Sequence, residues 1–301
     1  MREQMALSIG VIITVSKKNF NAVIFTVLLF FALTYNNAAI LSTSLPEKTV
    51  DKFGIKEIYP TKVGGREWFL NSEDPRADGL FYITSDKNIT REDDGSWLIN
   101  SSEVRLNVDT PPDAEEWKNV EITGYAKILS VIDPNKQTDL AWYARSGRHS
   151  NKSPCEGTGL IGGIHTDGTV EWKKEILFRE GYTDGRSKAK VVVDPLIGRW
   201  IGWKVVIYNL DNNNNNNTAV KMESYIDNRN TNYWVQVTNL TDDGGWPAKS
   251  SDEKFYSAGC NRPKDYIISN GGPIVTFRSD NIVWEFRNLS IREIQPLQGA
   301  N

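Results

Sequence analysis

The chain contains two histidines, His149 and His165, and both lie in one short stretch that also holds Trp142, Tyr143, Arg145 and Arg148. Imidazole, phenol and guanidinium are the groups that β-elimination from a uronic-acid polymer requires. That reaction needs a cation against a carboxylate, a base for the neighbouring proton and an acid for the leaving oxygen, and no metal. On this reading Arg145 or Arg148 neutralises, His165 (or His149) is the base, and Tyr143 or Tyr225 is the acid. The set carried forward as catalytic is His165, Arg145 and Tyr225. A plainer reading puts Trp142 and Tyr143 on opposite faces of one strand, with the Arg and His side chains in its exit loop. For binding without cleavage, Tyr143, Arg148, His149, Lys173, Lys221 and Glu223 are the candidate partners of sugar hydroxyls.

Other chemistries have weaker support. Glu171 and Glu175 fall on one face of a strand but about 13 Å apart in regular geometry. Glycoside hydrolysis wants carboxyls about 5–5.5 Å apart for retention and about 6.5–9.5 Å for inversion. Two cysteines and two histidines at wide spacing make no zinc signature. The acidic loops Glu92-Asp93-Asp94 and Asp242-Asp243 offer oxygen ligands for a structural Ca²⁺, but without the spacing of a calcium loop; a solvated turn is the simpler account. No other cofactor is expected. The formal charge of −3 and the lack of a basic stripe argue against nucleic acid as a partner.

The elements that must position these side chains read as strands. Short runs rich in Val, Ile, Tyr, Trp and Phe are split by Gly, Asn, Asp and Pro, over residues 68–71, 79–84, 96–100, 103–108, 120–129, 140–145, 160–165, 170–178, 200–209, 220–227, 233–237, 274–277 and 282–294. Period-two alternation is plain in several. Ile201, Trp203 and Val205 share one face; Val220, Met222 and Ile226 share another; Ile282, Trp284 and Phe286 share a third. Leu289 and Ile291 fall on the opposite parity, which predicts a bulge near Asn288. Short helices fit only near 113–117 and 251–256. The Asn-rich tract 212–217 reads as a hairpin loop. With 39% hydrophobic and 11% aromatic residues, ten Trp among them, the chain can fill a large core or display aromatic platforms for sugars.

The N-terminus has the layout of an export signal. Lys17 and Lys18 precede an apolar run over 22–35, and Ala38 and Ala39 follow. The run is shorter than the ~20 residues that span a bilayer as a helix. Residues 1–40 are therefore expected to be a signal peptide or, uncleaved, a signal anchor, which would be the sole membrane contact. Residues 41–64 are expected to be a linker or first edge segment, and 65–296 a β-sandwich domain. The single cysteine pair, Cys155 and Cys260, is expected to form a disulfide in an exported chain. Sequons at Asn88, Asn100, Asn151, Asn216, Asn239 and Asn288 are candidate glycosylation sites. The expected location is secreted or at the cell surface.

The run Gly-Arg-Trp-Ile-Gly-Trp-Lys-Val-Val-Ile-Tyr from Gly198, then Val-Lys-Met-Glu-Ser-Tyr-Ile-Asp and Tyr-Trp-Val-Gln-Val, resembles the middle strands of concanavalin A-like lectin/glucanase sandwiches. Phe277-Arg278-Ser279-Asp280 and the run from Phe286 to Ile294 resemble their closing strand. The resemblance covers about the last two-thirds of the chain and implies an all-β, two-sheet antiparallel jelly roll. Within that group, alginate-lyase-like jelly rolls use an Arg-rich strand, a Gln-x-His strand and a strand containing Tyr and Lys. Here Gly163-Ile164-His165 has Gly in place of Gln, Lys221 and Tyr225 stand in a different arrangement, and Arg145 and Arg148 only loosely echo the Arg strand. Trp172-Lys173-Lys174 departs from the acid-rich motif of jelly-roll glucanases. The resemblance thus implies a polysaccharide or glycan as partner, bound on a concave sheet face. Polysaccharide lyase activity is the alternative, and a structural surface protein the second alternative.

Overall fold

The computed structural model describes residues 49–84, 89–178, 181–192, 194–210, 219–246, 255 and 259–296. The expected signal (1–40), the Asn tract 212–217, most of 251–256 and the sequons at Asn88 and Asn216 lie outside these residues.

Fifteen strands are formed among the described residues: β1 (Glu67–Phe69), β2 (Phe81–Ile83), β3 (Ile89–Arg91), β4 (Trp97–Ile99), β5 (Val104–Asp109), β6 (Val120–Val131), β7 (Asp139–Ser146), β8 (Gly159–Ile164), β9 (Thr169–Glu175), β10 (Arg186–Lys190), β11 (Trp200–Leu210), β12 (Ala219–Asp227), β13 (Val235–Asp242), β14 (Ile274–Asp280) and β15 (Ile282–Glu293). They make two antiparallel sheets. The first runs β13-β12-β11-β6-β15-β4-β3, with β1 also on β15; the second runs β10-β9-β8-β7-β14-β5-β2. This is the all-β jelly-roll sandwich that the resemblance implies.

The inward residues interleave as one core. Ile201, Trp203, Val205 and Ile207 of β11 meet Leu140, Trp142 and Ala144 of β7, with Phe277 of β14 and Trp284 of β15 in the same cluster. Nine of the ten tryptophans are buried, and Trp200 is partly covered. The aromatic load therefore fills the sandwich and does not form a row of exposed platforms. Each indole N–H buried between the sheets needs an acceptor. Trp142 Nε1 donates to the Trp203 carbonyl (3.0 Å), Trp203 Nε1 to the Gly162 carbonyl (3.2 Å) and Trp172 Nε1 to Thr238 Oγ1 (2.8 Å). These bonds cross between sheets and fix their spacing. Gly162 permits the approach, since a Cβ there would stand 2.5 Å from Val205 Cγ2.

The bulge predicted near Asn288 is present. The β15–β6 register shifts between Arg287 and Ser290, and Asn288 has φ +53°. Strands β3 and β10 were not anticipated. Both lie at sheet edges, and β10 is almost wholly exposed with the sequence RSKAK, so burial imposes no alternation on it. Residues 113–117 form a turn and a bridge from Trp117 to Gly272, not a helix.

Within the stretch read as a linker, residues 49–61 lie against the outward face of the first sheet. Ile55 is buried, Ile58 N–H donates to Glu121 Oε2 (3.0 Å), and the Tyr59 hydroxyl donates to Glu223 Oε2 (3.1 Å). Beneath them Lys204 pairs with Glu121 (2.6 Å) and Arg292 pairs with Glu121 (2.9 Å) and Glu57 (3.2 Å). A buried charge keeps its place only when paired this way. Cys155 and Cys260 form the expected disulfide, with Cα atoms 5.5 Å apart. It ties the loop after β7 to the segment before β14.

Candidate functional site

The outward face of the second sheet carries the chemistry. Residues directly opposite in an antiparallel ladder share a face, so the strand register sets out rows across it. One row runs Tyr82, Asn107, Thr276, Tyr143, Ile161, Lys173 over β2, β5, β14, β7, β8 and β9. The next runs Arg105, Arg278, Ala141, Gly163, Glu171. A third begins Asp280, Asp139, and His165 follows directly after β8. The alternation that sends Leu140, Trp142, Val170, Trp172 and Phe277 into the core presents these neighbours outward. Ala141 and Gly163 are the small residues of the middle row, a trough whose floor is buried among the side chains around it. Arginines stand at one end of it and Glu171 at the other, and a Cβ on Gly163 would come within 3.0 Å of Asp139 Oδ1.

Two networks flank the trough. At one end His165 Nε2 meets Glu171 Oε1 (3.0 Å), Lys173 Nζ pairs with the same carboxylate, and His165 Nδ1 faces the Thr138 carbonyl. Burial by itself would raise Glu171, but the hydrogen bonds and charges of His165 and Lys173 outweigh it and hold the carboxyl at about 2. Burial likewise disfavours the His165 cation, yet Glu171, Asp139 and the Thr138 carbonyl raise its pKa overall. Asp139 is pushed up, first by burial and further by Asp280 opposite, against the pull of His165 and Lys173.

At the other end Arg278 Nη1 donates to the Tyr143 hydroxyl (3.0 Å), and Arg278 is paired with Asp280 (2.7 Å). Further along β9, on the strand that carries Glu171, His149 Nε2 meets Glu175 Oε2 (2.9 Å). Tyr182 bridges to Glu175 through the backbone and packs with Ala141, Tyr143 and Ile161. Burial, then the Glu175 charge, raises the Tyr182 phenol to about 12, and burial raises Tyr143 as well. The face thus offers paired cations and carboxylates, phenols and amides, fixed on strands and on the turns that join them.

The structure brings some expected residues together and separates others. Tyr143, Lys173, His149 and His165 share this face and its rim, and Arg148 acts on Tyr82 and Asp109 at the edge. The proposed catalytic trio does not converge. Arg145 is fully buried at the end of β7, where its guanidinium donates to the carbonyls of Lys118 (3.0 Å) and Ile268 (2.6 Å). Burial lowers its pKa to about 9, and its role is to bind backbone. Tyr225, Glu223 and Lys221 are on the outward face of the first sheet, on the far side of the sandwich from His165. There the Tyr225 hydroxyl donates to Glu223 Oε2 (2.9 Å), under the segment that carries Tyr59.

Sequence reasoning missed Arg105, Asp139, Tyr182, Arg278 and Asp280. The parity of Arg278 and Asp280 against Phe277 was a usable signal. Asp139 and Arg105 carried none beyond alternation. Glu171 and Glu175 do share a face, each held by its own histidine. Among the described residues no group of three or more His, Cys, Asp or Glu side chains is placed to hold a metal ion. In the loops considered for calcium, Asp242 accepts from Lys174 Nζ (3.1 Å) and Trp246 Nε1 (2.8 Å), and Asp94 accepts from Ser96.

The two antiparallel sheets make the chain a jelly-roll sandwich. No protein-family model matches the sequence, and no curated protein matches it. Similar solved structures include a candidate glycosyl hydrolase from Parabacteroides distasonis (16% identity, 82% of this chain and 99% of that one, TM-score 0.41). Another is alginate lyase Aly36B (11%, 76% and 91%, TM-score 0.41). A third is the metal-free carbohydrate recognition domain of Emp46p (9%, 75% and 94%, TM-score 0.41). At these scores the likenesses carry no argument about function.

Proposed function

We propose that this protein binds a polysaccharide or glycan on the outward face of its second sheet, outside the cell. The observation that carries this reading is the set of adjoining rows of donors and acceptors, Tyr82 to Lys173 and Arg105 to Glu171, beside the Ala141–Gly163 trough. Sugar hydroxyls both give and accept hydrogen bonds, and paired Arg, Glu, Asp and Asn groups held on strands meet them without reordering. Tyr82, 40% exposed at one end of the row, supplies an aromatic ring for a sugar face. The formed disulfide supports the extracellular part of the proposal. So do the surface positions of Asn100, Asn151 and Asn239, with Asn288 half-buried.

Affinity electrophoresis against a panel of polysaccharides tests the reading. Retention on at least one polymer is expected, reduced tenfold or more by Arg278→Ala and by Tyr143→Phe and unchanged by Lys221→Ala on the opposite sheet. Retention that survives both first-named substitutions would move the site elsewhere.

A second reading, β-elimination on a uronic-acid polymer, is favoured by one contact, Arg278 to the Tyr143 hydroxyl at 3.0 Å. Arg278 would then neutralise the carboxylate, and Tyr143 would exchange the proton, in place of Arg145 and Tyr225. Unsaturated products absorbing in the ultraviolet, formed by the wild type and lost in Tyr143→Phe, would establish it; their absence with every polyuronate would leave binding alone.

A further inference from the structure

Arg105 and Arg278 are directly opposite each other on β5 and β14, both on the outward face. Like charges in that position repel. Arg278 is neutralised by Asp280, through Nε to Oδ2 (2.7 Å) and Nη2 to Oδ1 (3.1 Å). Among the described residues no carboxylate is paired with Arg105, and its Nε is buried without a hydrogen-bond partner. Two strands away from Arg105, at the other wall of the trough, Asp139 Oδ1 is buried without a donor and points over Gly163.

Buried polar groups in folded proteins are almost always satisfied, so each exception asks for a partner. Here a cationic donor and a carboxylate acceptor are both unmet, on the same face and beside a floor of small residues. Their chemistry specifies the complement. A guanidinium takes an oxyanion through charge-assisted and often paired hydrogen bonds, while the Asp139 oxygen takes a hydroxyl.

We propose that the saccharide bound on this face carries an anionic substituent, a carboxylate or a sulfate ester, seated on Arg105 beside Arg278, with a neighbouring hydroxyl donating to Asp139. This rests on the binding reading above and assigns its ligand a charge and two contacts.

The test is affinity electrophoresis of the full chain in alginate (carboxylate), dextran sulfate (sulfate ester) and unmodified dextran (neither), at low and raised salt. The expected result is retention by alginate or dextran sulfate, weakened by salt, and weakened tenfold or more by Arg105→Gln. Arg105→Lys is expected to recover part of it, and the exposed Lys188→Gln to leave it unchanged. Whichever polymer is retained names the substituent. Asp139→Ala is expected to weaken the same interaction while leaving the thermal midpoint at or above that of the wild type. Retention by dextran equal to that by the charged polymers, with Arg105→Gln silent, would overturn the anionic assignment and leave the binding reading intact. Equal losses in Arg105→Gln and Lys188→Gln would reduce it to general charge attraction and also overturn it. If neutral and charged polysaccharides alike fail to be retained, the binding reading itself falls, and this inference with it.

Discussion

At the scale of single residues, Glu171 links stability to the candidate site. Its carboxyl lies at about 2 in the folded chain against an ordinary value of 4.5, so its ionised form stabilises the fold above that ordinary value. The contribution fades as pH falls from 4.5 through about 2. His165 runs the other way: its folded pKa is raised, so its contribution is present at acid pH and fades as pH rises through the folded value. Glu171→Gln is therefore expected to lower the thermal midpoint at neutral pH and to have little effect near the acid end of that window. Equal losses at both pH values, read by thermal denaturation, would mean that the ion pair is not the source. Arg145 is a different case. Removing a buried guanidinium that holds two backbone carbonyls is expected to cost about 3–5 kcal/mol. Arg145→Ala should lower stability in denaturant by that order while glycan affinity per folded molecule stays unchanged. A loss of affinity in a fully folded variant would restore Arg145 to the site.

At the scale of elements, close contact between the sheets depends on glycine. At Gly162 a methyl would meet Val205 at 2.5 Å and the Trp172 ring at 3.2 Å. Gly162→Ala is expected to cost about 1–3 kcal/mol by overpacking, measurable as a shift of the denaturation midpoint; no shift would show that the sheets can part at this point. The disulfide closes a loop of 105 residues in sequence separation. Chain entropy assigns a closure of that length about 4–5 kcal/mol, so reduction should lower the thermal midpoint by several degrees or more.

The same scale shows what the sequence made legible. Strands β11, β12 and β15 were readable because one face is buried and the alternation has to be strict. The bulge at Asn288 was readable because that alternation changes parity. Strand β10 was not, since an exposed edge such as RSKAK obeys no pattern. Residues 49–61 resisted for another reason. Their hold on the first sheet comes from Ile55, Ile58 and Tyr59, scattered without a period, and from pairing with Glu121 and Glu223 far along the chain.

At the scale of the whole molecule, the site was legible by residue type and not by assembly. Histidine, tyrosine and arginine were the right kinds of side chain, and Tyr143, His149, His165 and Lys173 do gather on one face. Parity says which residues of a strand point together, but not which sheet the strand joins. Tyr225 was therefore placed with His165, although β12 belongs to the first sheet and β8 to the second. Arg278 and Asp280 come beside Tyr143 and Asp139 only through the β14–β7 pairing, a contact between segments more than a hundred residues apart.

Two exposed tyrosines sit on opposite sides of this arrangement and make the central claim directly measurable. Tyr82 stands at the end of the polar row on the second sheet, and Tyr233, 73% exposed, lies two residues before β13 of the first. Hydroxyl-radical footprinting of the chain, with and without a polysaccharide that retains it, reads both rings in one experiment. The account predicts that Tyr82 and the half-buried Tyr182 are shielded while Tyr233 reacts as before; shielding of Tyr233 with Tyr82 and Tyr182 unchanged would contradict it.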